Sequence, residues 1–82
     1  MNLDLRGDAG NLRHYLDGRD IHCGQQLRLR VVSPPRETWV WARYEARPSR
    51  DGQSLFVTLF TNFGMVTIDE ETVLRWPEEG ER

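Results

Sequence analysis

The stretch Gln25-Gln26-Leu27-Arg28-Leu29-Arg30-Val31 alternates apolar and charged side chains. Successive side chains on an extended strand point to opposite faces. This period of two therefore puts Leu27, Leu29 and Val31 on one face and Arg28 and Arg30 on the other, as in a half-buried strand. Ser33-Pro34-Pro35-Arg36 ends the run, since neither proline can donate to a ladder. Alternation resumes from Thr38 to Ala46, Pro48-Ser49-Arg50-Asp51-Gly52 supplies a turn, and a third run follows from Ser54 to Thr61. The second and third runs are expected to pair as an antiparallel hairpin.

Further along, Asn62-Phe63-Gly64 is a tight connection into a short strand, Met65 to Ile68. Asp69-Glu70-Glu71-Thr72 reads as one helical turn capped by Asp69, with its carboxylates at the positive end of the turn dipole. Val73 to Trp76 is a last short strand stopped by Pro77, and Glu78 to Arg82 reads as an acidic, frayed tail. Toward the N-terminus the apolar positions Leu12, Tyr15 and Leu16 permit a short helix with Asp8 as N-cap and Gly18 past its end. The rival is a hairpin turning at Asp17-Gly18, a favoured type I′ pair, and the hairpin is preferred.

Five short antiparallel strands, a long central hairpin and one helical turn before the last strand predict a mostly β, SH3-like barrel. It forms a single domain over residues 1–77, with a loosely patterned segment at 1–20 and a flexible tail at 78–82. An OB-fold is the near competitor, but it generally needs more residues and a helix between its third and fourth strands.

The chain has 82 residues, enough for one hydrophobic core, and its 38% apolar and 29% charged residues lie in the globular range. The single cysteine, Cys23, can form neither an internal disulfide nor a cysteine-based zinc site. No apolar run reaches the roughly 18 to 20 residues that span a bilayer, and Met1-Asn2-Leu3-Asp4-Leu5-Arg6 lacks the order of a signal peptide. A cytoplasmic protein with no membrane partner is therefore expected. The net charge of −2 hides a gradient: residues 1–50 carry nine Arg against six Asp and Glu, and residues 51–82 two Arg against seven. All basic residues are Arg, the side chain suited to planar, bidentate pairing.

The segment Leu16-Asp17-Gly18-Arg19-Asp20-Ile21-His22-Cys23-Gly24, followed by Trp39-Val40-Trp41-Ala42-Arg43-Tyr44-Glu45, resembles a family of small uncharacterised bacterial domains. Those domains carry a G-R-x-(aliphatic)-H-C-G turn and a later W-x-x-x-R-x-E strand. The resemblance covers about residues 12–68, and the Ser54 to Thr61 strand with its loops departs from the family's shorter spacing. It implies a compact β domain and supplies no activity.

Little in the chain suggests catalysis. His22 and Cys23, with His14, are the only cluster of nucleophile and ligand types, and neighbours on an extended strand would face opposite ways. Consecutive Asp69, Glu70 and Glu71, and Asp17 and Asp20 flanking Gly18 and Arg19, read as caps and solvated charges. The scattered glycines form no phosphate loop. No enzyme activity, cofactor or metal is expected.

Sorting the strands by parity gives an aliphatic face of Leu27, Leu29, Val31, Val40, Ala42, Tyr44, Leu55, Val57, Leu59, Val66 and Ile68, the expected core. The opposite face collects Trp39, Trp41, Phe56, Phe60 and Met65 beside Arg28, Arg30, Arg43 and Glu45, joined by Trp76 or Leu74. Four aromatic rings represent roughly 600 to 1,000 Å², more than the roughly 300 to 600 Å² patch a monomer exposes. Either Leu3, Leu5, Leu12, Tyr15 and Leu16 lie over that face, or it meets a partner.

The expected function is a non-enzymatic interaction module. Trp39, Trp41, Arg43, Phe56, Phe60, Arg28 and Arg30 would bind a protein or a second copy of the chain, since these residue types are enriched in interface centres. The alternative is a single-stranded nucleic-acid-binding barrel, weakened by the low net charge and the absence of Lys. A small inhibitor encoded by a mobile element fits the size alone.

Overall fold

The structure, a computed structural model, describes residues 2–8 and 10–80. These form eight strands: β1 (Asp4–Arg6), β2 (Arg13–Leu16), β3 (Arg19–Asp20), β4 (Gln26–Ser33), β5 (Arg36–Pro48), β6 (Leu55–Thr61), β7 (Gly64–Thr67) and β8 (Leu74–Arg75). Strands β1-β2-β3 make a small antiparallel sheet, and β7-β6-β5-β4-β8 a large one of five strands. Among the described residues there is no helix, and hence none long and apolar enough to cross a membrane.

The alternating stretches become the large sheet. Leu27 pairs with Ala42, Leu29 with Val40, Tyr44 with Leu59 and Leu59 with Val66. Because the side-chain period is two, this register brings every apolar position of one parity to the same face. That face buries Leu27, Leu29, Ala42, Tyr44, Val57, Leu59 and Leu74, with Val40, Ala46, Val66 and Ile68 packed against them. Val31 shares the parity but lies more than a third exposed, because residues 31–38 at the β4–β5 tip all project into solvent.

The N-terminal segment forms the second layer of this core. Asp17 (φ 53°) and Gly18 (φ 75°) both occupy the left-handed region, as a type I′ turn requires, so the hairpin reading holds and the helix reading does not. Leu3, Leu16 and Ile21 enter the same core cluster as the large sheet's aliphatic face. The N-terminal layer therefore covers the aliphatic side, which corrects the first of the two alternatives, that it lies over the aromatic face. Leu5 shares the parity of Leu3 and pairs with His14, yet stays exposed.

The barrel expectation also needs correction. The two sheets do not close, and the structure supports the coarser description, a mostly β fold of two antiparallel sheets. The expected helical turn at Asp69 to Thr72 is a β-turn, with the Thr72 amide donating to the Asp69 carbonyl at 3.2 Å. Side chains close it: Asp69 Oδ1 accepts from the Glu71 amide at 2.8 Å, and Thr72 Oγ1 accepts from the Asp69 amide at 2.9 Å. These bonds hold the local donors, and no further helical bond follows before the chain enters β8. Of the expected tail, Glu78, Glu79 and Gly80 are exposed, and Glu81 and Arg82 lie outside the described residues.

Two glycines set contrasting constraints. Gly18 has open space where a Cβ would stand, whereas a Cβ on Gly7 (φ 112°) would run into the Asn11 backbone carbonyl. Gly18→Ala is expected to cost about 1 to 2 kcal/mol, the left-handed penalty alone. Gly7→Ala should cost more, since the β1–β2 connection must also move. Urea unfolding of the two variants measures the difference.

Candidate functional site

The face of the large sheet turned away from the core carries the residues singled out above, and the strand register decides what meets what. Arg28 lies opposite Trp41 on β5 and Arg75 on β8, Arg30 lies opposite Trp39, Arg43 opposite Phe60, and Arg47 opposite Phe56. Directly paired positions on one face stand close enough for a long cationic side chain to lie on its neighbour's ring. Four rings each carry a guanidinium: Arg28 over Trp41 at 3.7 Å, Arg75 over Trp39 at 4.8 Å, Arg43 over Phe60 at 4.8 Å and Arg47 over Phe56 at 5.5 Å.

This arrangement answers the aromatic excess. The arginine stems and guanidinium planes shield the indole rings, so Trp39 and Trp41 end half-buried with no second layer above them. Such contacts contribute roughly 0.5 to 1 kcal/mol each at exposed sites. They also hold flexible arginines in place with their N–H edges along the sheet surface. Arg43 Nε contacts Glu45 at 3.5 Å and Arg30 Nη1 contacts Glu37 at 3.9 Å. Arg28 Nη1 reaches the Trp39 carbonyl at 3.5 Å.

All seven expected site residues therefore share this face, with Trp39, Trp41 and Phe60 half-buried and Phe56 mostly exposed. Sequence reasoning missed Arg47 and Arg75. Arg47 shares the parity of Arg43 and would have been found by extending β5 one residue past Ala46. Arg75 reaches the face only because β8 pairs with β4, which no local pattern signals. The expected contribution of Leu74 or Trp76 is corrected: Leu74 is core, and Trp76 sits at the seam between the sheets. There its Nε1 donates to the Leu16 carbonyl at 2.7 Å, with Arg19 stacked on its ring at 3.8 Å.

Beside the ladder runs an open groove of about 610 Å³, lined by Gln26, Trp41, Arg43, Phe60, Thr61, Asn62 and Pro77. Exposed Phe63 and Met65 continue the apolar surface beyond Phe60. No family model, curated protein or solved structure matches the chain. The reading of this face accordingly rests on its own geometry.

The His22-Cys23 pair behaves differently from expectation. Residues 21–25 form a turn, with the Gln25 amide on the His22 carbonyl at 3.1 Å and the His22 amide on Gln25 Oε1 at 2.7 Å, so both side chains line the same cavity. They do not form a reactive pair. Arg13 Nη1 contacts His22 Nδ1 at 2.7 Å, and because a guanidinium only donates, Nδ1 must accept. The ring proton is then on Nε2, 3.2 Å from the Asp20 carboxylate, which leaves no lone pair to take a thiol proton. Cys23 Sγ instead takes the place of a backbone partner at the end of the β4–β5 ladder. It accepts from the Ala46 amide and donates to the Ala46 carbonyl, both at 3.4 Å.

Proposed function

We propose that the domain is a non-enzymatic interaction module, used in the manner of an SH3-like domain, that docks an acidic protein segment on the outer face of its large sheet. The supporting observation is the ladder of arginines held on aromatic rings across four adjacent strands. Five arginines, Arg28, Arg30, Arg43, Arg47 and Arg75, share the strands of that face with two carboxylates, Glu37 and Glu45, and Glu70 and Glu71 border it beside Arg30, on a chain whose net charge is −2. Such segregation selects an anionic partner and steers its approach. Guanidinium edges already fixed by stacking meet carboxylates in bidentate fashion with less ordering entropy to lose. The groove between Trp41, Phe60 and Pro77 accepts an apolar or proline side chain of an extended segment.

A protein is favoured over a nucleic acid because the rings that would stack unpaired bases already carry guanidinium groups. A base would have to displace Arg28 from Trp41 before stacking on that side.

The test is a titration of isotope-labelled protein with a short peptide of Glu, Pro and Leu, against oligothymidylate and a Lys-based peptide of equal length. The acidic peptide is expected to shift the amides of residues 26–30, 39–47, 58–62 and 75 and to weaken with salt. Arg28→Ala with Arg43→Ala should raise its dissociation constant about tenfold to a hundredfold, at roughly 1.4 kcal/mol per tenfold. Tighter binding by the oligonucleotide would hand the face to nucleic acid. Silence toward both anions at millimolar concentration would remove the docking role.

A further inference from the structure

A second concave site lies on the other side of β5, between the β1–β2 connection and the β5–β6 end. It has a volume of about 370 Å³, inside the range that holds small molecules. Leu12, Ile21, Ala46, Pro48 and Leu55 supply its apolar wall, and Asn11, Arg13 and His22 a polar rim. His14 and Tyr44 also line it, and they are 5% and 1% exposed.

This pair is the anomaly. Apart from Thr72, which its own turn satisfies, His14 is the buried polar side chain of the described core, where an aliphatic residue would avoid the cost of desolvation. His14 Nδ1 and the Tyr44 hydroxyl share a hydrogen bond of 2.8 Å, their rings set edge to face at 89°. Among the described residues neither group makes another side-chain hydrogen bond, so the second ring nitrogen and part of the hydroxyl's capacity remain for whatever enters the cavity. Burial holds the His14 pKa below its ordinary value, which keeps the ring neutral near pH 7.

The charge around the site selects among ligands. Arg13 is the one cation among the lining residues, and its charge is already balanced by Asp20 at 3.6 Å while it also holds His22 at 2.7 Å, so an entering carboxylate would compete with Asp20 for it. We propose that this cavity binds a small, uncharged ring compound through one hydrogen-bonding group placed on the His14–Tyr44 pair. The ring would lie against the aliphatic walls. The site is distinct from the arginine ladder, and its fate does not depend on that of the docking face.

The experiment uses the intact chain with phenol, benzamide and benzoate as probes, followed by nuclear magnetic resonance of the His14 ring nitrogens and the backbone amides. Phenol or benzamide at up to about 10 mM, the affinity range of single-ring fragments, is expected to shift the His14 ring. The amides of residues 11–14, 21–23 and 46–55 should move with it, while residues 28, 39–41, 60 and 75 stay still. Benzoate should bind at least about tenfold more weakly. Ala46→Leu, which fills the cavity from its wall, should abolish the shifts. Leu12→Phe fills it from the exposed connection and replaces that variant should it fail to fold. Absence of any shift at His14, equal binding of benzoate, or shifts that persist in both folded filling variants would each overturn the assignment.

Discussion

Leu16→Ala is expected to lower the unfolding free energy by about 2 to 5 kcal/mol, the range for deleting a fully buried leucine. Leu16 has no exposed surface and is among the largest fully buried side chains of the chain. It projects from the small sheet into the cluster that contains Leu27, Leu59 and Leu74. Its carbonyl also receives the Trp76 indole at 2.7 Å, so the position joins the small sheet, the large sheet and the C-terminal segment. For a domain of this size each kcal/mol moves the thermal midpoint by about 4 to 8 °C, so a loss of tens of degrees is expected. Leu5→Ala, at a position of β1 that stays exposed, should stay within about 0.5 kcal/mol. Thermal unfolding of the two variants measures the contrast. Equal effects would mean that the N-terminal sheet does not dock on the aliphatic face.

The His14–Tyr44 pair predicts a stability optimum bounded on both sides. In the unfolded chain His14 takes up a proton near its ordinary pKa of 6.5, whereas burial lowers that value in the fold. Below pH 6.5 the unfolded state therefore binds a proton that the native state refuses. His14's contribution is complete above that pH and is lost as pH falls toward its folded value. Tyr44 behaves in the opposite sense: burial first, then the charge of Cys23, push its pKa from 10.0 up to about 12, with Arg13 pulling the other way. Its contribution is complete below pH 10 and is lost as pH rises toward 12. The alkaline loss is on the order of 2 to 3 kcal/mol.

Tyr44→Phe should remove that alkaline limb. It should also cost about 1 to 3 kcal/mol at neutral pH, because His14 Nδ1 loses its buried partner. Urea midpoints measured from pH 5 to pH 11 on both proteins test this. An alkaline slope that persists unchanged in Tyr44→Phe would show that another group produces it.

The core face was legible because it needs only alternation. Leu27, Leu29, Ala42, Tyr44, Val57 and Leu59 follow from parity within single strands, and the structure buries all of them. The outer face was legible for the same reason, since a residue that does not enter the core of a two-faced strand must leave it. Trp39, Trp41, Arg43 and Phe60 could thus be named together, although nothing local states that Arg28 lies on Trp41 or that Arg43 lies on Phe60. Those contacts depend on register, which two prolines at Pro34-Pro35 and the loop from Ser49 to Ser54 set at the ends of long hairpins. The turn at Asp17-Gly18 was equally readable, because positive φ at two successive positions admits few residue types.

Two decisions lay outside local pattern. Placement of the small sheet on the aliphatic side depends on Leu3, Leu16 and Ile21 finding more apolar surface there than on a ladder already shielded by arginines. The shared orientation of His22 and Cys23 depends on a turn closed by the Gln25 side chain, which breaks the alternation that an extended segment would have imposed. By itself the sequence determined the five strands of the large sheet, their two faces and the hairpin turns, because side-chain alternation and φ preference act between neighbouring residues. The small sheet raises the five expected strands to eight. Only the tertiary structure decided which sheet covers which face, where β8 places Arg75 and how His14 meets Tyr44, because those outcomes arise from competition among surfaces far apart along the chain.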